Sequence, residues 1–318
     1  MNKKVGIIIG IIILLLVGGF GYYKFTASSS EAPQTTEAKT VVVTDRKGEK
    51  EVPLNPEKVV VLDLGSLDIM TGLGVEPVGL PKNSLPSYLE KYKDDKYVDL
   101  GSLKEFSLEK INELQPDLII IEGRQEASYD ELSKIAPVLY LGTDNGDIFG
   151  SLEFNANVLG TVFNNKDAVT GKLDDINKRL EAISSKVKET NATALMTMFN
   201  EGSLSVYGAG SRYDMVYSKF GFTPADGNIE VSTHGQNISF EYIKEKNPDY
   251  LLVLDRGAVV GGQTPAKEAV ENELVKTTKA YKEGHIIYVD PQAWYIGGSG
   301  LMAVDTILSE MEKALNIK

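Results

Sequence analysis

The chain has 318 residues, enough for about two domains, with 45 acidic against 33 basic side chains and a net charge of -12. That balance argues against nucleic acid or anionic lipid as a main partner, because any bound anion must meet a local basic pocket. Cysteine is absent and only two histidines occur, His234 and His285. This excludes disulfides, iron–sulfur clusters, cysteine nucleophiles, thiolate metal sites and three-histidine metal centres.

Lys3 and Lys4 precede an apolar run from Val5 to Tyr23, which Lys24 closes. A run of ~19 residues is about the length of a membrane-crossing helix, and the leading positive charge keeps the amino terminus inside. Residues 1–25 therefore read as a transmembrane anchor or export signal, with the uncleaved anchor favoured over cleavage near Ala27 to Ser29. Everything after Lys24 is expected outside the cell. No cysteine follows the run, so the chain is not expected to be a lipoprotein. Residues 26–39 are small, polar and Pro-containing, the composition of a disordered tether.

The folded body is expected in three parts: an amino-terminal α/β lobe at 40–165, a linker helix at 166–189 and a carboxyl-terminal α/β lobe at 190–318. Val41–Val43 and Glu51–Pro53 flank a turn at Arg46 to Gly48 and read as a hairpin at a sheet edge. Val59–Leu62 is a buried strand, followed by a helix near Ser66–Leu73, a strand at Pro77–Leu80 and a long loop from Pro81 to Leu100. Ser107–Arg124, SLEKINELQPDLIIIEGR, carries a Ser N-cap, a short amphipathic helix ended by Pro-Asp, and the apolar run Leu118–Ile121. Such a run fits a strand covered on both faces of a parallel sheet. A helix at Tyr129–Ala136 and a strand at Val138–Gly142 follow.

From Phe149 to Lys188 there is no strand signal, and Lys166–Lys188 has apolar residues at helical spacing in a charged background, the pattern of one long exposed helix. The second lobe opens with the strand Ala192–Phe199, a turn at Asn200–Ser203, the strand LSVY, the Gly-rich GAGSRYD and a helix at Tyr213–Phe220. The first unit then recurs. Ser239–Arg256, SFEYIKEKNPDYLLVLDR, matches Ser107–Arg124 without a gap at seven of eighteen positions, the closing arginine included. A helix near Ala266–Val275, the strand His285–Val289, the turn DPQAWYIGGSG and the helix Leu301–Leu315 end the chain. The expected fold is thus α/β, two lobes with mainly parallel sheets joined by one long helix, behind an amino-terminal membrane helix.

The repeat places Arg124 and Arg256 at the carboxyl ends of equivalent strands, the ligand-binding edge of open α/β sheets. With Arg46 in the hairpin and Arg179 on the linker helix set aside as exposed, Arg212 is the remaining arginine of the chain's five. A guanidinium offers a fixed fork of donors and a flat face, which suits oxygen anions and aromatic rings. Taken singly, each arginine also fits a surface salt bridge, His234 a solvated loop residue, Tyr295 a packing residue and His285 a structural one. There is no GxGxxG, HExxH or Ser-His-Asp pattern, hence no catalytic constellation.

Jointly, TVVVTDRKGEKEVPLNPEKVVVLD, LQPDLIIIEGR, VYGAGSRYD, STHGQNISFEYI, NPDYLLVLDRG and QAWYIGGSG resemble the substrate-binding proteins of ABC importers for ferric siderophores, closest to the petrobactin and catecholate type. The resemblance spans about Thr40 to the end. It implies two lobes on one rigid helix with the ligand in a shallow cleft, no enzyme activity, no intrinsic cofactor and a monomer. It further implies that Arg124, Arg212 and Arg256 grip catecholate oxygens beside Trp294. His234 and Tyr295 would then take the two Fe(III) positions that a tetradentate siderophore leaves open. Hard ferric iron accepts both donors. Glu109 and Glu241, matched in the repeat, are the implied contacts to the permease, though both also fit the favourable charge of a helix N-terminus. Alternatives are another iron chelate, haem or a corrinoid as cargo, or a surface metallochaperone or enzyme with a nitrogenase-like two-lobed fold.

Overall fold

The computed structural model describes residues 39–317 except Asn145 and Thr233. The expected membrane segment and tether lie outside the described residues, among which no helix is long and apolar enough to cross a membrane. The body opens with β1 (Thr40–Asp45) and β2 (Gly48–Pro53), an antiparallel pair in register from Thr40 opposite Pro53 to Asp45 opposite Gly48. This hairpin is a two-stranded sheet of its own, not the edge of a larger one. It is fastened by Arg46, whose Nη2 donates to Gly142 O at 2.9 Å and Ser151 Oγ at 3.2 Å, so the expectation that Arg46 is merely exposed fails.

The first lobe follows as β3 (Val59–Val61), α1 (Leu64–Gly72), β4 (Gly79–Leu80), β5 (Val98–Asp99), α2 (Leu108–Leu114), β6 (Leu118–Ile121), α3 (Tyr129–Leu132), β7 (Val138–Tyr140) and α4 (Ile148–Val162). Its five strands are all parallel in the order β5-β4-β3-β6-β7. Every residue of β3 and β6 is buried, as their unbroken apolar runs require for strands covered on both faces. The loop read at Pro81–Leu100 contains two 3₁₀ turns, Lys82–Ser84 and Ser87–Lys93, and the short β5.

One helix, α5 (Lys166–Thr190), leads to the second lobe: β8 (Thr193–Asn200), β9 (Ser203–Tyr207), α6 (Met215–Ser218), β10 (Thr223–Pro224), β11 (Gln236–Asn237), α7 (Phe240–Lys246), β12 (Tyr250–Asp255), α8 (Gly257–Val260), α9 (Ala266–Val270), α10 (Lys279–Lys282), β13 (Ile286–Val289) and α11 (Leu301–Ala314). Its sheet is mixed. β8, β12, β13 and β10 run parallel, β9 is reversed beside β8, and β11 pairs antiparallel with β9 along the path β11-β9-β8-β12-β13.

The two copies of the repeat fold alike. Ser107 Oγ accepts from Lys110 N at 3.2 Å and Ser239 Oγ from Tyr242 N at 3.4 Å, capping α2 and α7. Each helix stops one residue before the proline, at a left-handed Gln115 or Asn247. The aspartate after the proline then pins the start of the neighbouring strand. Asp117 accepts from Lys58 N at 2.8 Å, just ahead of β3, and Asp249 from Thr193 N at 2.9 Å, the first residue of β8.

The lobes are held by more than α5. The stripe Val169, Leu173, Ile176, Leu180, Ile183 and Val187 turns one face of α5 inward. The last helix, α11, returns from the second sheet to pack on α1, α4 and α5. Arg179, expected to be exposed, is the bolt between α5 and α11. It donates to Glu312 through Nε and Nη2 at 2.8 Å, to Asp305 at 2.6 Å and to Ser309 at 2.9 Å, a forked arrangement that holds direction as well as charge. Asp68 of α1 takes the first free backbone donors of α11, Met302 N at 2.9 Å and Ala303 N at 3.0 Å. Burial pushes its carboxyl up to about 6.

Candidate functional site

Most residues of interest lie beyond the carboxyl end of a strand. Asp63 follows β3, Glu122 to Arg124 follow β6, Arg212 follows β9, Arg256 follows β12 and Tyr295 follows β13, whereas His234 lies in the loop ahead of β11. These ends enclose a cleft of about 810 Å³, lined among others by Asp63, Glu122, Arg124, Arg212, Val231 and Tyr295. A side pocket of about 300 Å³ adjoins it, with Asn200, Tyr207, Arg212, His234, Arg256 and Tyr295 in its wall. Arg212 and Tyr295 line both, so they form the partition between the two spaces. Both volumes suit small-molecule ligands.

The centre of the side pocket is Tyr295. It is presented by a π-helical turn, Gln292–Ile296, whose widened hydrogen bond runs from Gly297 N to Gln292 O at 2.6 Å. Such turns are rare and often mark functional positions. The turn is anchored from α11, where Glu310 accepts from Asp290 N and from Trp294 Nε1, both at 2.7 Å. Burial outweighs those two bonds and pushes the Glu310 carboxyl up to about 7.

Two guanidiniums flank the Tyr295 ring. Arg256 Nε donates to the phenol oxygen at 3.0 Å, and Arg212 lies over the ring at 4.4 Å from its centroid while its Nη2 donates to Tyr295 O at 3.0 Å. Burial alone would raise the phenol, but the Arg256 hydrogen bond and the charges of Arg256 and Arg212 outweigh it and hold the phenol below its ordinary value. The phenolate is thus easier to form here than on a free tyrosine, which suits an oxygen donor to a hard metal. His234 joins the same pocket from an exposed loop. The next residue, Gly235, has φ +74°, and a Cβ there would stand 2.9 Å from the Tyr207 ring, so only glycine lets this loop close down on the pocket.

Arg124 sits apart, in the main cleft, and donates to Glu122 at 2.8 Å, with 40% of its side chain exposed. The neighbouring strand end adds Asp63, whose carboxyl caps α1 by accepting from Gly65 N and Ser66 N; burial and the nearby Glu122 push it up to about 6. The cleft is therefore acidic around Arg124 and basic around Tyr295. The lobes meet closely behind it. Gly146, at φ +81°, lies so near the Arg212 backbone that a Cβ would fall 2.5 Å from its carbonyl oxygen, and Ser299 Oγ accepts from Asn155 Nδ2 at 3.1 Å.

The structure thus brings Arg212, Arg256, His234 and Tyr295 together and leaves Arg124 one compartment away. Trp294 lines the main cleft from below. The indole is 1% exposed, its N–H is committed to Glu310, and it packs against Tyr213 and Phe220, so it supports the π-turn from beneath. Glu109 and Glu241 are exposed in the first turns of α2 and α7, away from both cavities. His285 stacks on Tyr250 at 4.3 Å between ring centroids, a packing role. Sequence reasoning missed Asn200 and Tyr207 in the side pocket and Asp63 and Glu122 in the cleft. All four lie at or just past strand ends, the one signal that marked them. Among the described residues no group of three or more His, Asp or Glu side chains could hold a metal ion.

Residues 59–293 match the family model described as periplasmic binding protein. The petrobactin-binding protein YclQ of Bacillus subtilis is 42% identical over 320 residues, covering 99% of each chain. Its crystal structure superposes with a TM-score of 0.83 at 43% identity, over 88% of this chain and 100% of that one. The catecholate-siderophore-binding protein VctP of Vibrio cholerae gives 0.81 at 40% identity, over 86% and 100%. The ferric-anguibactin-binding protein FatB of Vibrio anguillarum is 33% identical over 279 residues, 86% of this chain and 87% of its own.

Proposed function

From the premise that this chain belongs to the periplasmic binding protein family, we propose that it is an extracellular receptor that captures a ferric catecholate siderophore and hands it to an ABC permease for iron uptake. It is a binding protein and not an enzyme, with the ferric complex as cargo and no cofactor of its own. The observation that carries this reading is Tyr295, a phenol held toward its ionised form between two guanidiniums in a pocket it shares with His234. A phenolate and an imidazole cannot hold ferric iron alone. They complete a six-coordinate ion when the ligand brings four oxygens, and Arg212 and Arg256 meet the negative charge of such a complex. The catecholate and petrobactin ligands named for VctP and YclQ support the same cargo class.

In the test, full-length protein is titrated with ferric bis-catecholate, and Trp294 fluorescence is followed through its contact with the pocket. No quenching with any ferric bis-catecholate would sink the reading. Replacing His234 by Ala or Tyr295 by Phe should shift the phenolate-to-iron charge-transfer band of a tetradentate complex and leave a hexadentate one nearly unchanged. Identical bands in wild type and variants would reject iron coordination by these residues.

The remaining parts of the reading concern attachment and docking. The apolar run Val5–Tyr23 anchors the receptor in the cell membrane without cleavage, which mass spectrometry of the mature amino terminus checks. The receptor acts as a monomer, with a lobe at 40–165, a joining helix at 166–189 and a lobe at 190–318. Glu109 and Glu241 meet basic residues of the permease, one per lobe. Reversing both charges should lower iron uptake while siderophore affinity stays within about twofold, as exposed charges act mainly at their own contact.

A further inference from the structure

Arg256 does not find Tyr295 unaided. Parallel pairing of β12 with β8 sets Asp255 opposite Phe199, so Arg256 and Asn200 leave their strands side by side. Arg256 N donates to Phe199 O at 3.0 Å, and Nη1 donates to Asn200 Oδ1 at 3.0 Å. Because the guanidinium is a rigid planar fork, fixing Nη1 fixes the direction of Nε, which then meets the Tyr295 oxygen at 3.0 Å. The next residue completes the clamp. Glu201 accepts through Oε1 from Gln263 N at 2.6 Å and Thr264 N at 3.2 Å, tying the β8–β9 turn to the loop that follows Arg256.

The chemistry of the acceptor matters as much as its place. An amide oxygen orients the guanidinium without cancelling its charge, whereas a carboxylate at the same spot would neutralise it, as Glu122 does for Arg124. We propose that Asn200 is a positioning residue that holds the uncompensated guanidinium of Arg256 against the Tyr295 oxygen, and so fixes where that oxygen meets a ferric complex. This rests on the reading of Tyr295 as an iron donor.

The test titrates the full-length chain with ferric bis-catecholate. Asn200→Ala should lower affinity by about tenfold, the scale of one hydrogen bond to a charged group, and should shift the phenolate-to-iron charge-transfer band of the bound complex. Asn200→Asp keeps an acceptor oxygen in place but counters the Arg256 charge, so it should lower affinity too and leave the band closer to wild type. A hexadentate ferric tris-catecholate should change by less than about twofold, since it leaves no position for Tyr295. Unchanged affinity and band in Asn200→Ala, or unchanged affinity in Asn200→Asp where the alanine variant does not fold, would overturn the proposal. No ferric bis-catecholate bound by wild type would instead reject the functional reading, and the proposal with it.

Discussion

Arg124 and Arg256 close the two copies of one structural unit, yet they live in opposite electrostatic company. Both follow a capped helix, a Pro-Asp pair and a buried strand. Arg124 is partly exposed and already paired with the carboxylate of Glu122, with Asp63 lining the same cleft. Arg256 bonds only neutral oxygens, an amide and a phenol. Duplication thus supplied a backbone address at each strand end, and the neighbours at that address decided whether the charge is compensated or available. On the proposed reading the second lobe supplies the metal-facing half, and the first keeps a cation already paired with a carboxylate.

The sharpest probe of this contrast is pH. Iron takes the phenolate, so binding by the free phenol releases a proton, and apparent affinity for a ferric bis-catecholate should rise with pH up to the Tyr295 midpoint. The slope approaches about tenfold per pH unit for one coupled proton. Measured relative to Tyr295→Phe, it should survive Arg124→Ala and extend to higher pH in Arg256→Ala, where the phenol loses its charged partner. A slope equally altered by both substitutions would erase the distinction between the lobes.

Affinity itself should divide the same way. Arg256→Ala removes a charge-assisted hydrogen bond and a ligand clamp, costing roughly 10- to 100-fold in fluorescence titrations at fixed pH. Arg124→Ala should cost no more than about fivefold, because exposed and already paired charges contribute little. The smallest effect has the opposite sign. Glu122→Gln should tighten an anionic ferric complex by about twofold, since it frees Arg124, and the gain should fade in high salt.

How much of this was legible in the sequence depends on the distance to each partner. The repeat could be read because its caps, proline and apolar run act within eighteen residues. The duties of Asp117 and Asp249 could not, as their partners lie 59 and 56 positions away. Arg179 looked like one more charge on a polar helix, since the residues it grips arrive more than a hundred positions later. Trp294 and Tyr295 are chain neighbours that both line the main cleft, but nothing local shows that the indole is buried beneath the π-turn while Tyr295 also reaches the side pocket. Asn200 has the composition of a turn residue, and nothing local reveals that parallel register sets it beside Arg256.

The return of α11 to the first lobe bears on the life of the chain before it holds any cargo. Asp68 is buried in the first lobe, and its carboxylate oxygens take the leading backbone donors of a helix made of residues 301–314. A polypeptide emerging amino terminus first cannot satisfy that aspartate, or lay the final helix on α1, until nearly its whole length is through. The last packing of the early lobe therefore waits for the late one. For a receptor exported as proposed, premature folding is the hazard, and closure of the molecule is deferred to its last fourteen helical residues.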